Sequence, residues 1–402
     1  MRRVARACHT LRLKERTGEP NSCAVAEKAR SCTRRPVNGP GEAGQSDASE
    51  WSPPNVPTGD NRSEALSSGM REPYDALLLM SFGGPECRAD VLPFLENVLR
   101  GRNVSRERML EVAEHYYHFD GVSPINQQNR DLLAALAAEL AAGGPALPIY
   151  WGNRNWHPLL TDTLRQMMED GVRRALALVT SAYGSYPGCR QYREDLERSR
   201  MTLGARAPEV DKIRLFFNHP GLIETLVDRV RQALREVAPA RHATTQLVFT
   251  AHSIPLTMAR GCQYECQLKE TLHLVTEQLV DYPAALVYQS RSGPPSQPWL
   301  EPDIGAHLRS LAADGRITDV VVVPFGFMSD HLEVLYDLDY KARQLCDALG
   351  LRMVRALTPG THPRFIAMLR ELILERTAGV APRAAGSLPP WPDVCPDNCC
   401  AR

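Results

Sequence analysis

From Tyr74 onward the chain alternates between short continuous apolar runs and longer stretches whose apolar residues recur every three or four positions. Runs such as Ala76-Leu77-Leu78-Leu79-Met80 and Val320-Val321-Val322-Val323 are apolar at every position. That predicts strands of a parallel sheet covered on both faces. The pattern places strands over 75–81, 147–152, 175–181, 212–217, 246–251, 284–289 and 318–324. It places helices over 87–99, 105–117, 127–142, 158–170, 220–237, 265–280, 303–314, 331–349 and 361–376.

Strands alternating with helices define an α/β protein. Seven strands over about 300 residues suit two doubly wound (Rossmann-like) domains with parallel sheets better than one. A break at Ala238-Pro239-Ala240 separates an N-terminal domain, 71–238, from a C-terminal domain, 241–376, whose last helix is free to pack back on the first. No repeat of fixed period is present, but the halves are candidates for a shared architecture. Ligands of such sheets bind outside the carboxyl ends of the strands, so an active-site cleft is expected between the domains.

The flanks differ in character. Residues 1–69 are rich in Arg, Ser, Gly, Pro and Asn and show no helix or strand period, as in Ser52-Pro53-Pro54-Asn55-Val56-Pro57. They are expected to be a disordered extension, or to precede a true start at Met70. A transit peptide is the weaker reading, because Glu15, Glu19, Glu27 and Glu42 do not belong in one. The tail, 377–402, turns rich in Pro, Ala and Gly before it reaches a group of cysteines.

Composition narrows the classes further. Hydrophobic residues are 43% and charged residues 23%, with 47 basic against 47 acidic side chains, so a nucleic-acid binder or a strongly basic membrane-surface protein is not indicated. No stretch approaches the roughly 20 apolar residues needed to span a bilayer. No apolar core follows Arg2, Arg3 and Arg6 to make a secretory signal, so the expected compartment is the cytoplasm. Eleven cysteines, an odd number without a signal peptide, argue against a disulfide framework and turn attention to metal or cluster ligation.

Two segments carry candidate chemistry. Leu247-Val248-Phe249-Thr250-Ala251-His252 brings a histidine to the end of a strand, where an imidazole serves as a base or metal ligand. A histidine bonded to nearby backbone is the plain alternative. The second segment runs from Val320 through a Pro/Gly turn into a helix capped by Ser329 or Asp330. Glu333 and Asp337 lie four apart there and share a face, which as a solvated acidic face would also complement the helix dipole. Both segments fall at strand ends of one sheet, so His252 and Glu333 can meet across one cleft. A histidine and a carboxylate with open coordination positions suit Fe²⁺ or Zn²⁺. Two ligands are too few for a permanent site and fit a transient one.

At these residues the chain resembles the ferrochelatases, over about residues 74–376. The matching pieces are Ser81-Phe82-Gly83-Gly84-Pro85, Gly121-Val122-Ser123-Pro124, Trp156-His157-Pro158 and Thr250-Ala251-His252-Ser253-Ile254-Pro255. They continue with Gln289-Ser290-Arg291, Pro298-Trp299-Leu300 and Gly326-Phe327-Met328-Ser329-Asp330-His331-Leu332-Glu333. Their order and spacing together are specific. The resemblance implies insertion of Fe²⁺ into a porphyrin for heme synthesis, with His252 and Glu333 as the iron-site pair, Asp337 as an outer metal site, and Ser123 and Tyr192 as porphyrin contacts. It is closest to actinobacterial-type enzymes, which convert coproporphyrin III to coproheme; protoporphyrin IX is the alternative substrate. Arg100 and Arg102 are candidates to meet propionates, or plain surface charges. Two departures stand out. Phe82 occupies a position where some bacterial relatives carry a Tyr able to ligate iron, and Lys341 replaces an acid found in some relatives one turn beyond Asp337.

Cys395, Cys399 and Cys400 fall within six residues, and Cys189 in Tyr186-Pro187-Gly188-Cys189 is the candidate fourth thiol. Some ferrochelatases carry a [2Fe-2S] cluster on one internal and three C-terminal cysteines, and the resemblance implies one here. Free thiols or a structural Zn²⁺ site are the alternatives. Cys262 and Cys266 are expected to be ordinary packing residues. Two rivals use other chemistry: a cobalt chelatase of related fold, which would often use two histidines, and a non-catalytic porphyrin or metal carrier, which would need no base beside the metal. Beyond the porphyrin, a transient contact with a heme-pathway partner is expected.

Overall fold

The structure is a computed structural model that describes residues 73–102, 104–294, 296–396 and 399–400. The expectations for residues 1–69 and for a start at Met70 lie outside the described residues. The first half runs β1 (Ala76–Ser81), α1 (Val91–Leu99), α2 (Arg106–Tyr117), α3 (Ile125–Gly143), β2 (Ile149–Asn153), α4 (Leu160–Glu169), β3 (Arg174–Val179), α5 (Gln191–Leu203) and β4 (Glu209–Lys212). It is followed by α6 (Pro220–Leu234), β5 (Thr245–His252), α7 (Leu256–Arg260), α8 (Tyr264–Thr276), β6 (Ala284–Gln289), α9 (Ile304–Asp314) and β7 (Asp319–Val323). A continuous helical run comes next, made of α10 (Leu332–Val334), a π-helical stretch (Leu335–Ala342) and α11 (Arg343–Leu349); it is called the site helix below. Strand β8 (Arg352–Arg355) and α12 (Pro363–Thr377) complete the fold.

Two four-stranded sheets result, ordered β2-β1-β3-β4 and β6-β5-β7-β8, with every pairing parallel. The order is the same in both, so the halves share one architecture. Each sheet changes direction between its first and third strands, and the crevice at that switch is where such sheets bind ligands. The continuous apolar runs follow from this arrangement: every residue of β1, β3 and β7 is buried, because helices cover both faces. On the outer faces Leu160, Leu164 and Met167 of α4 cover the first sheet, and Leu308 and Leu311 of α9 cover the second. Between the sheets lies one buried cluster that joins Leu77, Leu79 and Leu176 to Leu247, Phe249 and Val321. Leu226 and Val230 of α6 and Leu369 and Leu372 of α12 fill its middle. Thus α6 packs on α8, β7 and β8, while α12 packs on both α6 and α3.

The strand predicted over 212–217 is displaced: β4 is Glu209–Lys212. Ile213, Leu215, Phe216 and Phe217 are apolar because they turn off the sheet edge into the cluster between the sheets. Three elements are additional to the sequence expectation: α5, the five-residue α7 and β8. In α5 only Tyr192, Leu196 and Ser199 are buried, so its thirteen mostly polar residues show no clear stripe. Strand β8 is four residues at a sheet edge, with Arg at each end. Cys262 packs half-buried on the core as expected, but Cys266 is exposed on α8, a correction that reflects its place on the solvent side of that helix.

Arg214, 3% exposed, ties the turn after β4 to the last helix by two bonds to Glu375, at 2.7 and 2.8 Å. Removing one partner of such a pair strands the other charge in the interior. Arg214→Ala is therefore expected to cost about 3–5 kcal/mol in denaturant unfolding. A loss below about 1 kcal/mol would show that α12 is held by apolar packing alone.

Candidate active site

The segment Thr250–Pro255 and the segment around Trp299 are held together by main-chain bonds: Leu300 N–H donates to Ile254 O at 3.0 Å and Leu256 N–H to Pro298 O at 3.0 Å. The Ser253 hydroxyl donates to Leu300 O at 2.9 Å, and the Tyr264 hydroxyl donates to His252 O at 3.1 Å. These contacts fix the last residue of β5, His252, at the carboxyl edge of its sheet. Its Nδ1 lies 2.5 Å from Ser253 O. A carbonyl only accepts, so Nδ1 carries the hydrogen and Nε2 presents its lone pair.

Glu333 arrives on the first turn of the site helix, after the loop that leaves β7. That loop lies against β5: Gly326 N–H donates to Thr250 O at 3.1 Å, and a Cβ at Gly326 would sit 2.8 Å from Ala251 Cα. Only a residue without a side chain fits there. The result is that Glu333 Oε2 stands 3.5 Å from His252 Nε2. Two acceptor atoms at that distance, with no donor of their own between them, are arranged to share a proton or a cation. Both are reachable, with side chains 33% and 50% exposed.

Asp337 follows in the π-helical stretch. Its Oδ2 accepts from the Ser290 hydroxyl at 2.5 Å, and Lys341 Nζ lies 3.4 Å from Oδ1. Burial raises its pKa above the usual carboxylate range, the Ser290 bond opposes that, and Glu333 adds to the rise. Arg355, at the end of β8, clamps the helix from behind: it bonds both Asp330 oxygens at 3.1 Å and Asp339 at 2.6 Å. The helix expected over 331–349 is therefore continuous but not uniform, since its middle is π-helical, a geometry often found at functional sites.

The opposite wall belongs to α2. The His115 ring stacks on Tyr336 at 3.9 Å, and His118 lies against Tyr340 at 4.0 Å. Burial, with Lys341 second, lowers the His115 pKa to about 4. Tyr116 is raised by burial first and then by Glu333. The sequence reading did not single out α2, although His115-Tyr116-Tyr117-His118 in a charged helix was the available signal.

A sequence profile described as Ferrochelatase matches residues 74–377. The chain belongs to the ferrochelatase family. A ferrochelatase of Rhodopirellula baltica is 54% identical over 329 residues, covering 82% of this chain and 93% of that relative. Coproporphyrin III ferrochelatases of Streptomyces griseus and Streptomyces coelicolor are 50% and 49% identical over 351 residues each, with the same coverage. The chain is accordingly a metal chelatase, and Fe²⁺ is a substrate of its family.

The other residues singled out in the sequence fall in distinct places around this ferrochelatase fold. Phe82, 38% exposed, sits beside β1, with the Arg154 guanidinium 5.8 Å from its ring and 4.7 Å from that of Tyr192. Tyr192 is buried with Leu196 on the outer face of the first sheet. Ser123 is buried against the space a side chain at Gly84 would need. Arg100 and Arg102 are exposed in the turn after α1, and Arg100 donates to Asn97 Oδ1 at 2.5 Å. A cavity of about 730 Å³ opens at the amino ends of β3 and β4, lined by Arg173, Arg174 and Asp211, at the end of the sheet opposite to this chemistry.

Four cysteines converge at another point. Cys189, Cys395, Cys399 and Cys400 line one cavity of about 200 Å³ with Lys212. Lys212 Nζ is 3.2 Å from Cys189 Sγ, the Trp391 indole donates to Cys395 Sγ at 3.3 Å, and Cys399 Sγ is 3.5 Å from Cys400 Sγ. Bonds from the Cys395 and Cys400 thiols pull the Cys189 pKa far below the usual thiol range and push their own up. Among the described residues no set of three or more His, Cys, Asp or Glu side chains is arranged to hold a metal ion. No helix among them is long and apolar enough to cross a membrane.

Gly326→Ala tests the approach of the β7 loop to β5. The added methyl must push on backbone, which is expected to cost about 1–3 kcal/mol in stability. It is also expected to lower kcat for porphyrin metallation by about tenfold or more by separating Glu333 from His252. A normal kcat in the folded variant would show that the pair tolerates displacement.

Proposed function

We propose that this chain inserts Fe²⁺ into coproporphyrin III to give coproheme, with His252 and Glu333 at the insertion site. The single observation that supports the reading is the facing of two hydrogen-bond acceptors, Nε2 and Oε2, 3.5 Å apart and open to substrate. A porphyrin presents two pyrrole N–H groups that must be lost before the ring holds iron. His252 Nε2, its lone pair directed outward by the Nδ1–H bond to Ser253 O, takes one proton. Glu333 takes the other or holds the incoming cation, and Asp337 extends the acidic path toward solvent. The family resemblance assigns Ser123 and Tyr192, both buried here, to the porphyrin, and the exposed Arg100 and Arg102 are the candidates to meet its propionates. Coproporphyrin III carries more propionates than protoporphyrin IX, and cations at an exposed rim suit the more acidic ring. The names of the two Streptomyces relatives support the same choice.

Two experiments bear on this. His252→Ala is expected to lower kcat for iron insertion by about a hundredfold or more with the fold intact by circular dichroism; near-normal rates would end the assignment. With wild-type protein under anaerobic conditions, kcat/KM is expected to be higher for coproporphyrin III than for protoporphyrin IX. The reverse order would transfer the reading to protoheme synthesis.

The cysteine quartet is assigned to a [2Fe-2S] cluster held by Cys189, Cys395, Cys399 and Cys400. Four thiols lining one cavity, with cationic and N–H donors aimed at two of the sulfurs, fit its need for thiolate ligands. A two-iron cluster takes its ligands as two pairs, and so does not need three around a single ion. Bound there, it would supply a cross-link between the tail and the first half of the chain. Anaerobically purified protein is expected to show cluster absorbance with iron and sulfide in equal amounts, and Cys395→Ser to lose both. Wild-type protein without sulfide would overturn the assignment.

A further inference from the structure

The outer carboxylate of the proposed metal path is not bare. Asp337 Oδ2 is bonded by the Ser290 hydroxyl at 2.5 Å, and Oδ1 faces Lys341 Nζ at 3.4 Å. The ammonium also lies over the Tyr336 ring, 4.5 Å from its centroid. Lys341 thus fills the place a cation reaching Asp337 from solvent would take. Ser290 holds its hydroxyl there from a left-handed backbone conformation, φ 61°, which a non-glycine residue adopts only under constraint. The two contacts differ in permanence. The serine bond lies deep and short, whereas the Lys341 side chain is 53% exposed and its pair is one helical turn long, a kind of ion pair that opens readily.

We propose that Lys341 is a resident counter-ion that Fe²⁺ displaces from Asp337 on its way to the His252–Glu333 pair, so that this residue sets the apparent affinity for the metal. The inference rests on the insertion-site reading above. A carboxylate carrying an ammonium attracts a divalent cation less than a bare one, because the incoming charge meets a neutralised pair and must move the lysine first. The ammonium has somewhere to go: its stem is long, its head is in solvent, and the ring face of Tyr336 retains it nearby. Lys341 therefore weakens metal capture without touching the step at the porphyrin.

Steady-state insertion under anaerobic conditions, with Fe²⁺ varied at saturating porphyrin, tests this. Lys341→Gln is expected to lower the KM for Fe²⁺ by about threefold or more with a smaller change in kcat, the signature of altered ground-state capture. Lys341→Arg, which keeps the charge, is expected to stay near wild type, and added salt to shrink the Gln effect. In an Asp337→Asn background the same lysine substitution is expected to give no gain, since the carboxylate it shields is gone. An unchanged KM in Lys341→Gln, or a gain that survives in Asp337→Asn, overturns the proposal while leaving the insertion site in place, provided His252→Ala is inactive. If His252→Ala remains active, the route has no destination and both readings fall.

Discussion

The close approach of the loop after β7 to the end of β5 is the constraint on which the site depends. The atoms in question are backbone: Gly326 N–H on Thr250 O, with Ala251 Cα where a side chain would otherwise stand. Because the contact lacks side chains it has little freedom to adjust, and it sets where the site helix begins. Glu333 is on the first turn of that helix, so its carboxylate inherits the position. His252 is held from the other side by Ser253, Leu300 and Tyr264. Two acceptors are thereby kept 3.5 Å apart against their mutual repulsion by the backbone contact between the segments that carry them.

The remainder of the molecule stiffens this scaffold. One buried cluster fills the space between the two sheets, and α6 and α12 serve both halves. The halves also touch at the site itself, where His115 and His118 of α2 lie on Tyr336 and Tyr340 of the site helix. Gln128 of α3 accepts from Asp330 N–H at 2.8 Å, at the start of the same loop–helix segment that Arg355 clamps. Relative motion of the halves would therefore be felt at Glu333 and Asp337. The tail is tied across the same seam: Asn218 bonds Leu388 and Pro389 carbonyls, and Glu270 of α8 accepts from Ser387 N–H at 2.7 Å. These bonds deliver Cys395 to Cys189 from more than two hundred positions away in the chain.

Much of the fold was legible because its strands are buried on both faces, which writes them as unbroken apolar runs; β1, β5, β6 and β7 follow those runs closely. The same rule misled at 213–217, where burial between sheets looks identical to burial within one. It was silent on β8 and α5, whose few buried residues leave no periodic trace. The facing of His252 and Glu333 was legible for a different reason. A histidine ending one apolar run and a carboxylate just past another must lie at the same edge if the runs are parallel neighbours, and β5 and β7 are.

By itself the sequence determined the class of fold, the edge at which the chemistry sits, and the family whose motifs it carries. All three are local or ordered along the chain, and local patterns survive without coordinates. Tertiary structure alone decided which partner each group meets. The serine hydroxyl on Asp337, the α2 rings on the site helix and the four converging thiols depend on contacts between distant segments. Such contacts are set by how helices and loops pack in space, and no spacing within a single segment encodes them.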